Sequence, residues 1–210
     1  MEIEFKEFPK ISRLTRDCVI TEKIDGTNAS IFIGENGEFL TGSSTRWITP
    51  EADNYGFSRW AYENKAKLLW LGVGHHFGEW WGSGCQRGYG LPKGEKRFSL
   101  FNVHRWAMAG TELKQYPTQD PRVFKSQEHA PECCYVVPIL YEGIFDTEII
   151  GNTLMTLKEK GSVASPGFMN PEGIVIYHKA GNVLFKKTIL KDEEPKSKYA
   201  GECKGSTVGS

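Results

Sequence analysis

Residues 21–28, TEKIDGTN, set one lysine among acids: Glu22 precedes Lys23, Asp25 lies two residues on, and Gly26 follows. A lysine amine is a nucleophile only without its proton, and at an ordinary pKa of ~10.4 only a trace is neutral at neutral pH. Nearby cations or a bound metal favour the neutral amine, whereas adjoining carboxylates favour the charged one. If Lys23 attacks anything, positive charge must come from elsewhere in the chain. A surface lysine at a strand end, paired with Asp25, would explain the same residues without chemistry.

A source of charge exists. Residues 182–190, NVLFKKTIL, place Lys186 and Lys187 side by side in an apolar run. Successive strand residues face opposite sides. One of the two is therefore directed at the core side or a cleft, where an uncompensated cation is costly. A bound phosphate offsets that cost, and so does an edge strand from which the side chain reaches back to water. Two acids have similar surroundings: Glu79 in HHFGEWWG and Glu172 at the head of EGIVIYH. Such positions suit Mg²⁺ or ribose hydroxyls, or a plain edge carboxylate. Phe98 and Phe101 in RFSLFNV could stack on a purine or fill the core. Arg46 in SSTRW could grip phosphate, as could Arg87 and Tyr89 in the glycine-rich GSGCQRGYG.

The elements that must position these residues are short. Strands are expected over residues 18–24 and 29–33, with Asn36-Gly37 turning the chain into EFLTGSS. Residues 57–71 set Phe57, Trp60, Ala61 and Leu68 on one helical face, closed by Gly72. HHFGEWWG, RFSLFNVHRW and YVVPILYEGIF read as strands, while residues 107–134 are rich in turns. Asp146 caps a helix over 147–160 that turns Ile150, Leu154 and Leu157 inward and ends at Gly161. EGIVIYH and NVLFKKTIL form a last hairpin across Ala180-Gly181-Asn182. These elements predict an α+β fold of largely antiparallel sheets with flanking helices. One domain is expected over residues 1–192, followed by a flexible tail over 193–210.

Composition narrows the classes. The content is 39% hydrophobic and 12% aromatic over 210 residues, enough for one packed core. A formal net charge of zero excludes a chain coated in positive charge but allows a local basic groove. No apolar run is long enough to span a membrane, and MEIEFKEF does not read as a signal peptide. The five cysteines are irregularly spaced, with Cys133 and Cys134 adjacent and no CxxC, which points to a reduced, cytoplasmic setting. His129 with Cys133 and Cys134 lacks a fourth ligand for a structural zinc.

Each signal is weak singly, but their order is not. TEKIDGTN, SSTRW, FGEWWG, RFSLFNV, PEGIVI and LFKKT, from about residue 20 to 190, together resemble the ordered motifs of the covalent nucleotidyltransferases. That superfamily contains ATP-dependent DNA ligases, RNA ligases and mRNA capping enzymes. The first motif is most similar to RNA ligases of the phage type that seal nicked duplex RNA, and of the related trypanosome editing type. The resemblance implies an ATP-grasp-like adenylation domain without an OB-fold. It also implies ATP and Mg²⁺ (or Mn²⁺) as cofactors, and a nucleic acid with a 5′-phosphate end, RNA favoured, as partner.

By the same resemblance Lys23 would form a lysyl-AMP phosphoramide and Glu22 would read the adenine amino group. Asp25 would help arrange the metal or its waters, Gly26 would permit close approach to the nucleotide, and Asn28 would lie near the reacting phosphate. Arg46 would contact ribose or the 5′-phosphate end, and Glu79 the ribose hydroxyl. Phe101 or Phe98 would stack on adenine, Glu172 would bind the metal, and Lys186 and Lys187 would neutralise the α-phosphate.

The family spaces its last lysines as K-x-K, whereas here they are adjacent, which leaves open which one reaches phosphate. The sequence ends at Ser210, soon after Thr188, without room for the C-terminal domain of such ligases. A partner protein could then supply that part. The missing domain also motivates a second reading, a stand-alone adenylyltransferase for a small molecule or protein, and a third is a non-catalytic nucleotide- or nucleic-acid-binding module that keeps the fold without turnover.

Overall fold

The computed structural model describes residues 4–113, 127–190 and 192. The expected tail over 193–210, with Cys203, lies outside them, as does most of the turn-rich stretch before residue 127. In chain order the elements are β1 (Asp17–Lys23), β2 (Thr27–Ile33), β3 (Phe39–Gly42), β4 (Trp47–Ile48), α1 (Phe57–Glu63), α2 (Lys65–Leu68) and a 3₁₀ turn at Leu69–Leu71. Then come β5 (Gly74–Gly82), β6 (Lys96–Leu100), β7 (Trp106–Ala107), β8 (Glu128–His129), β9 (Tyr135–Val136), β10 (Ile139–Ile144), α3 (Thr147–Lys160), β11 (Gly173–His178) and β12 (Val183–Thr188).

Two sheets dominate. One has four strands in the order β10-β1-β11-β12, all antiparallel. The other has six, β4-β3-β2-β5-β6-β9, antiparallel except for the β6–β9 pair. This is the expected α+β architecture. Alternation along each strand explains how both sheets are covered. Cys18 and Ile20 of β1 join Ile174 and Ile176 of β11 in a cluster closed by Leu157 of α3, with Ile150 and Leu154 packed against it. Ala29, Ile31 and Ile33 of β2, Trp80 of β5 and Phe98 of β6 pack instead with Phe57, Ala61 and Leu68 of the α1–α2 segment. The layers therefore run helix, sheet, sheet, helix. The inner faces of the two sheets are left to each other, with Val19, Ile24, Trp81, Tyr89 and Val137 joining them at one end.

Three elements are shorter than the periodicity predicts. The helix over 57–71 breaks at Asn64, whose side-chain Nδ2 donates to the Trp60 carbonyl at 2.9 Å. An asparagine that satisfies the backbone locally competes with the helix. The strand predicted over YVVPILYEGIF divides at Pro138, which has no N–H for a ladder. β9 therefore belongs to the six-stranded sheet and β10 to the four-stranded one. β6 stops at Leu100, because the Asn102 side chain accepts from Arg105 N at 3.0 Å and turns the chain. α3 forms as expected: Asp146 Oδ1 accepts from Glu148 N at 2.7 Å, a cap worth about 1 kcal/mol, and Gly161 ends the helix at φ 83°. Among the described residues no helix is long and apolar enough to cross a membrane.

Candidate active site

A cleft of about 790 Å³ opens between the inner faces of the two sheets. From the four-stranded sheet it is lined by Val19, Thr21 and Lys23 of β1, Val175 and Tyr177 of β11, and Leu184 and Lys186 of β12. The register explains this set: Thr21 lies opposite Val175, and Val175 lies opposite Lys186. From the six-stranded sheet come Asn28, His75, Phe77 and Glu79, with Phe101 just beyond β6.

Lys23 ends β1 and pairs with Gly173 across the ladder, which brings Glu172 to the lysine's side chain. Nζ lies 2.6 Å from Glu172 Oε2 in an ion pair whose carboxylate is buried and whose amine reaches the cleft. The adjacent lysines separate as alternation requires. Lys186 is on the cleft face, whereas Lys187 lies opposite Ile174, turns to the other face and pairs with Asp192 at 3.4 Å. β12 is an edge strand, so neither lysine is buried in the core.

Glu22 alternates with Lys23 along β1, yet it too lines the cleft. Its buried carboxylate accepts from Ser162 Oγ at 2.6 Å, Val163 N at 2.8 Å and Ala164 N at 2.9 Å. It thereby fastens the segment after α3 to β1, and three donors offset the cost of burying the charge. Asp25 pairs with Arg87, whose Nε lies 3.0 Å from its Oδ2, and it is not among the residues that line the cleft. Arg87 also donates to the Asn170 carbonyl and Oδ1, both at 3.0 Å, so it ties the glycine-rich loop to the approach to Glu172. Tyr89 is fully buried at φ 51°, and its hydroxyl accepts from Asp25 N at 2.9 Å. Burial pushes that phenol well above its ordinary value, so it stays protonated.

Gly26 is required for space. A Cβ there would collide with the Trp80 carbonyl and the Trp81 Cβ, while its N–H donates to Glu79 Oε1 at 2.8 Å. The close approach is to the protein's own backbone. Gly26→Ala is expected to destabilise the fold by about 1–3 kcal/mol, read as a lower urea midpoint with an unchanged slope.

Of the two phenylalanines, Phe98 is 0% exposed and packs on Phe57 and Trp60, away from the cleft. Phe101 is 43% exposed and lines it. Asn28 lies opposite Glu79 and also faces the cleft. Arg46 sits in the turn between β3 and β4, exposed, and does not line the cleft. Sequence reasoning missed His75, Phe77, Arg105 and Tyr177 as lining residues. Period-two alternation through HHFGEWWG would have found His75 and Phe77 once Glu79 was placed.

Among the described residues no group of three or more His, Cys, Asp or Glu side chains could hold a metal ion, His129, Cys133 and Cys134 included. The four described cysteines are free thiols. The donor set at Lys23 nevertheless fits Mg²⁺ or Mn²⁺ in one respect. Mg²⁺ usually takes one or two carboxylates and completes its shell with water and substrate phosphates, and Glu172 is such a carboxylate beside the Lys23 amine.

Two facing sheets with a lysine–glutamate pair at the cleft define a nucleotidyltransferase-type domain. The RNA ligase family profile matches residues 16–191. The chain belongs to the RNA ligase family. Solved structures of Naegleria gruberi RNA ligase are similar to it. A mutant with AMP and Mn matches at a TM-score of 0.54 and 19% identity, covering 83% of this chain and 50% of that one. A form with pyrophosphate matches at 0.53 and 19%, covering 83% and 50%. A mutant with ATP and Mn matches at 0.53 and 18%, covering 82% and 48%. At these identities the likeness is one of fold, and the chain spans about half the length of those ligases. No curated protein matches the sequence at a significant level.

Proposed function

We propose that this chain is an ATP-dependent RNA ligase that works through a covalent lysyl-AMP. The observation that carries the reading is the placement of Lys23 Nζ at the cleft, 2.6 Å from Glu172 and with Lys186 on the same sheet face. In the first step Nζ attacks the α-phosphorus of ATP. The N–P bond forms, the bond to the bridging oxygen breaks, and pyrophosphate leaves. Nζ must shed its proton to do so, and Glu172 Oε2 lies where that proton sits. AMP then passes to the 5′-phosphate of an RNA strand, giving a 5′–5′ pyrophosphate. A 3′-hydroxyl attacks that phosphate and AMP is released.

The chain's own residues mainly position groups and neutralise charge, as in other phosphoryl transfers. Lys186 faces the phosphates, Phe101 offers a ring for adenine, Glu79 accepts from ribose, and Asn28 lies opposite it. Glu172 would hold a divalent cation together with substrate phosphates, and that cation supplies positive charge beside the α-phosphate. Glu22, which lines the cleft, serves the adenine side and fixes residues 162–164 beside it. Arg46, at the sheet's edge, is left to the polynucleotide. The adenylyltransferase unit runs over residues 1–192.

The test is a chase. Protein labelled from α-labelled ATP and freed of nucleotide should pass its label to 5′-phosphorylated RNA, then release it as AMP once a 3′-hydroxyl strand is added. Label that leaves equally fast without any 5′-phosphorylated strand would show an adenylyltransferase for another acceptor.

A further inference from the structure

We propose that the open face of the six-stranded sheet beside the cleft is a stacking site for unpaired nucleobases of the RNA strand whose end enters the cleft. The proposal rests on the ligase reading above and names the form of its substrate.

A row of rings crosses this face. Phe77 stacks beside His75 at 5.7 Å with 18° between planes, His75 lies 4.6 Å from Phe32, and Trp47 closes the row 5.8 Å from His75 and 6.2 Å from Phe32. Register produces the row: Phe32 of β2 lies opposite His75 of β5, while Trp47 of β4 pairs with Gly42 of β3, which faces Ser30 of β2. Gly42 has no side chain, and the Trp47 ring covers that position. The alternate residues of these strands, Ile31, Ile33 and Ile48, pack in the core on the other face. The rings are thus not core residues at a frayed edge. Trp47 is 51% exposed and Phe77 57%. A contiguous exposed apolar row on an otherwise packed sheet marks a binding surface.

What covers it follows from its neighbours. His75 and Phe77 line the catalytic cleft as well as belonging to the row, so a strand leaving the cleft at Phe101 meets Phe77 first and Trp47 last. Arg46, exposed beside Trp47, and Lys186 in the cleft supply cationic groups at the two ends for its phosphates. Successive flat rings suit successive bases, because every base presents a π-face. A fully paired strand offers no such faces, since they are stacked inside the duplex. The row therefore selects a strand that is unpaired next to its reacting end. This differs from sealing a nick in continuous duplex, the habit of the ligases that the first motif resembles.

The test uses the full chain, a fluorescent 5′-phosphorylated single-stranded RNA, and the same strand paired through its whole length. Wild type should bind the single strand at least about tenfold more tightly than the duplex. Trp47→Ala should lose about tenfold for the single strand and little for the duplex, with Trp47→Phe recovering most of the loss. Uptake of AMP from ATP should be unchanged in Trp47→Ala, because Trp47 does not line the cleft. Equal binding of both RNAs by wild type, or unaltered single-strand binding by Trp47→Ala, would overturn the proposal. So would a wild-type dimer that Trp47→Ala converts to monomer, since the row would then be a contact between copies. A wild type that takes up no AMP, but whose single-strand binding is still lost in Trp47→Ala, would refute the ligase reading and leave the stacking site standing.

Discussion

Lys186→Ala lowers the rate of AMP uptake by about 100-fold or more, whereas Lys187→Ala leaves it within about threefold. The two residues are adjacent, of one type, and on one exposed strand, so no difference in chemistry separates them. The register does. Lys186 lies opposite Val175 on the cleft face, and Lys187 lies opposite Ile174 on the other, where it meets Asp192. Removing a cation aimed at a developing phosphate charge costs about what an oxyanion donor costs. Removing one partner of an exposed surface pair changes stability by less than about 1 kcal/mol. The measurement is single-turnover label uptake at saturating ATP with both variants side by side. A larger loss in Lys187→Ala would mean that β12 is offset by one residue from the register described, and no loss in either variant would mean that phosphate binds elsewhere.

Glu172→Gln is expected to slow AMP uptake by about 100-fold or more while the protein stays folded. Glutamine keeps the volume and one oxygen acceptor for Lys23 Nζ, but not the charge that a divalent cation requires. Breaking a buried ion pair costs about 3–5 kcal/mol when the remaining charge is stranded. Here the cost is smaller, because Lys23 retains 20% of its side-chain surface to water. Melting temperature and label uptake therefore separate: a small shift in the first and a large loss in the second. A variant that unfolds at ambient temperature would make Glu172 a residue of the fold first. One that adenylates at the wild-type rate would remove it from the site.

Much of the fold was legible because strand alternation and capping are local. The α3 cap at Asp146, the hairpin through Ala180-Gly181-Asn182 and the strand through HHFGEWWG all form where their residues predict. The breaks at Asn64 and Pro138 depend on one residue each, and apolar periodicity runs through both. The site was legible as an order of motifs, not as a geometry. The Lys23–Glu172 pair spans 149 residues and exists only through the β1–β11 ladder.

The misplaced residues carry the sharper lesson. Alternation, applied to Lys186 and Lys187, applies equally to Glu22 and Lys23. Residues 162–164 hold the glutamate's carboxylate, although Glu22 lines the cleft with Lys23. Alternation also opposes Phe98 to Phe101, of which only Phe101 reaches the cleft. Arg87 could not be placed from sequence, since Asp25 and Asn170 are brought to it by the glycine-rich loop's path.

The most direct test of the account is to locate the adduct. Wild type and Lys23→Ala, each stripped of pre-bound nucleotide, are incubated with ATP and Mg²⁺, denatured, digested and sequenced by mass spectrometry. One adenylylated peptide, modified at the Lys23 side chain, is expected in wild type and none in Lys23→Ala. An adduct on any other residue, or the same adduct yield in Lys23→Ala, would contradict it.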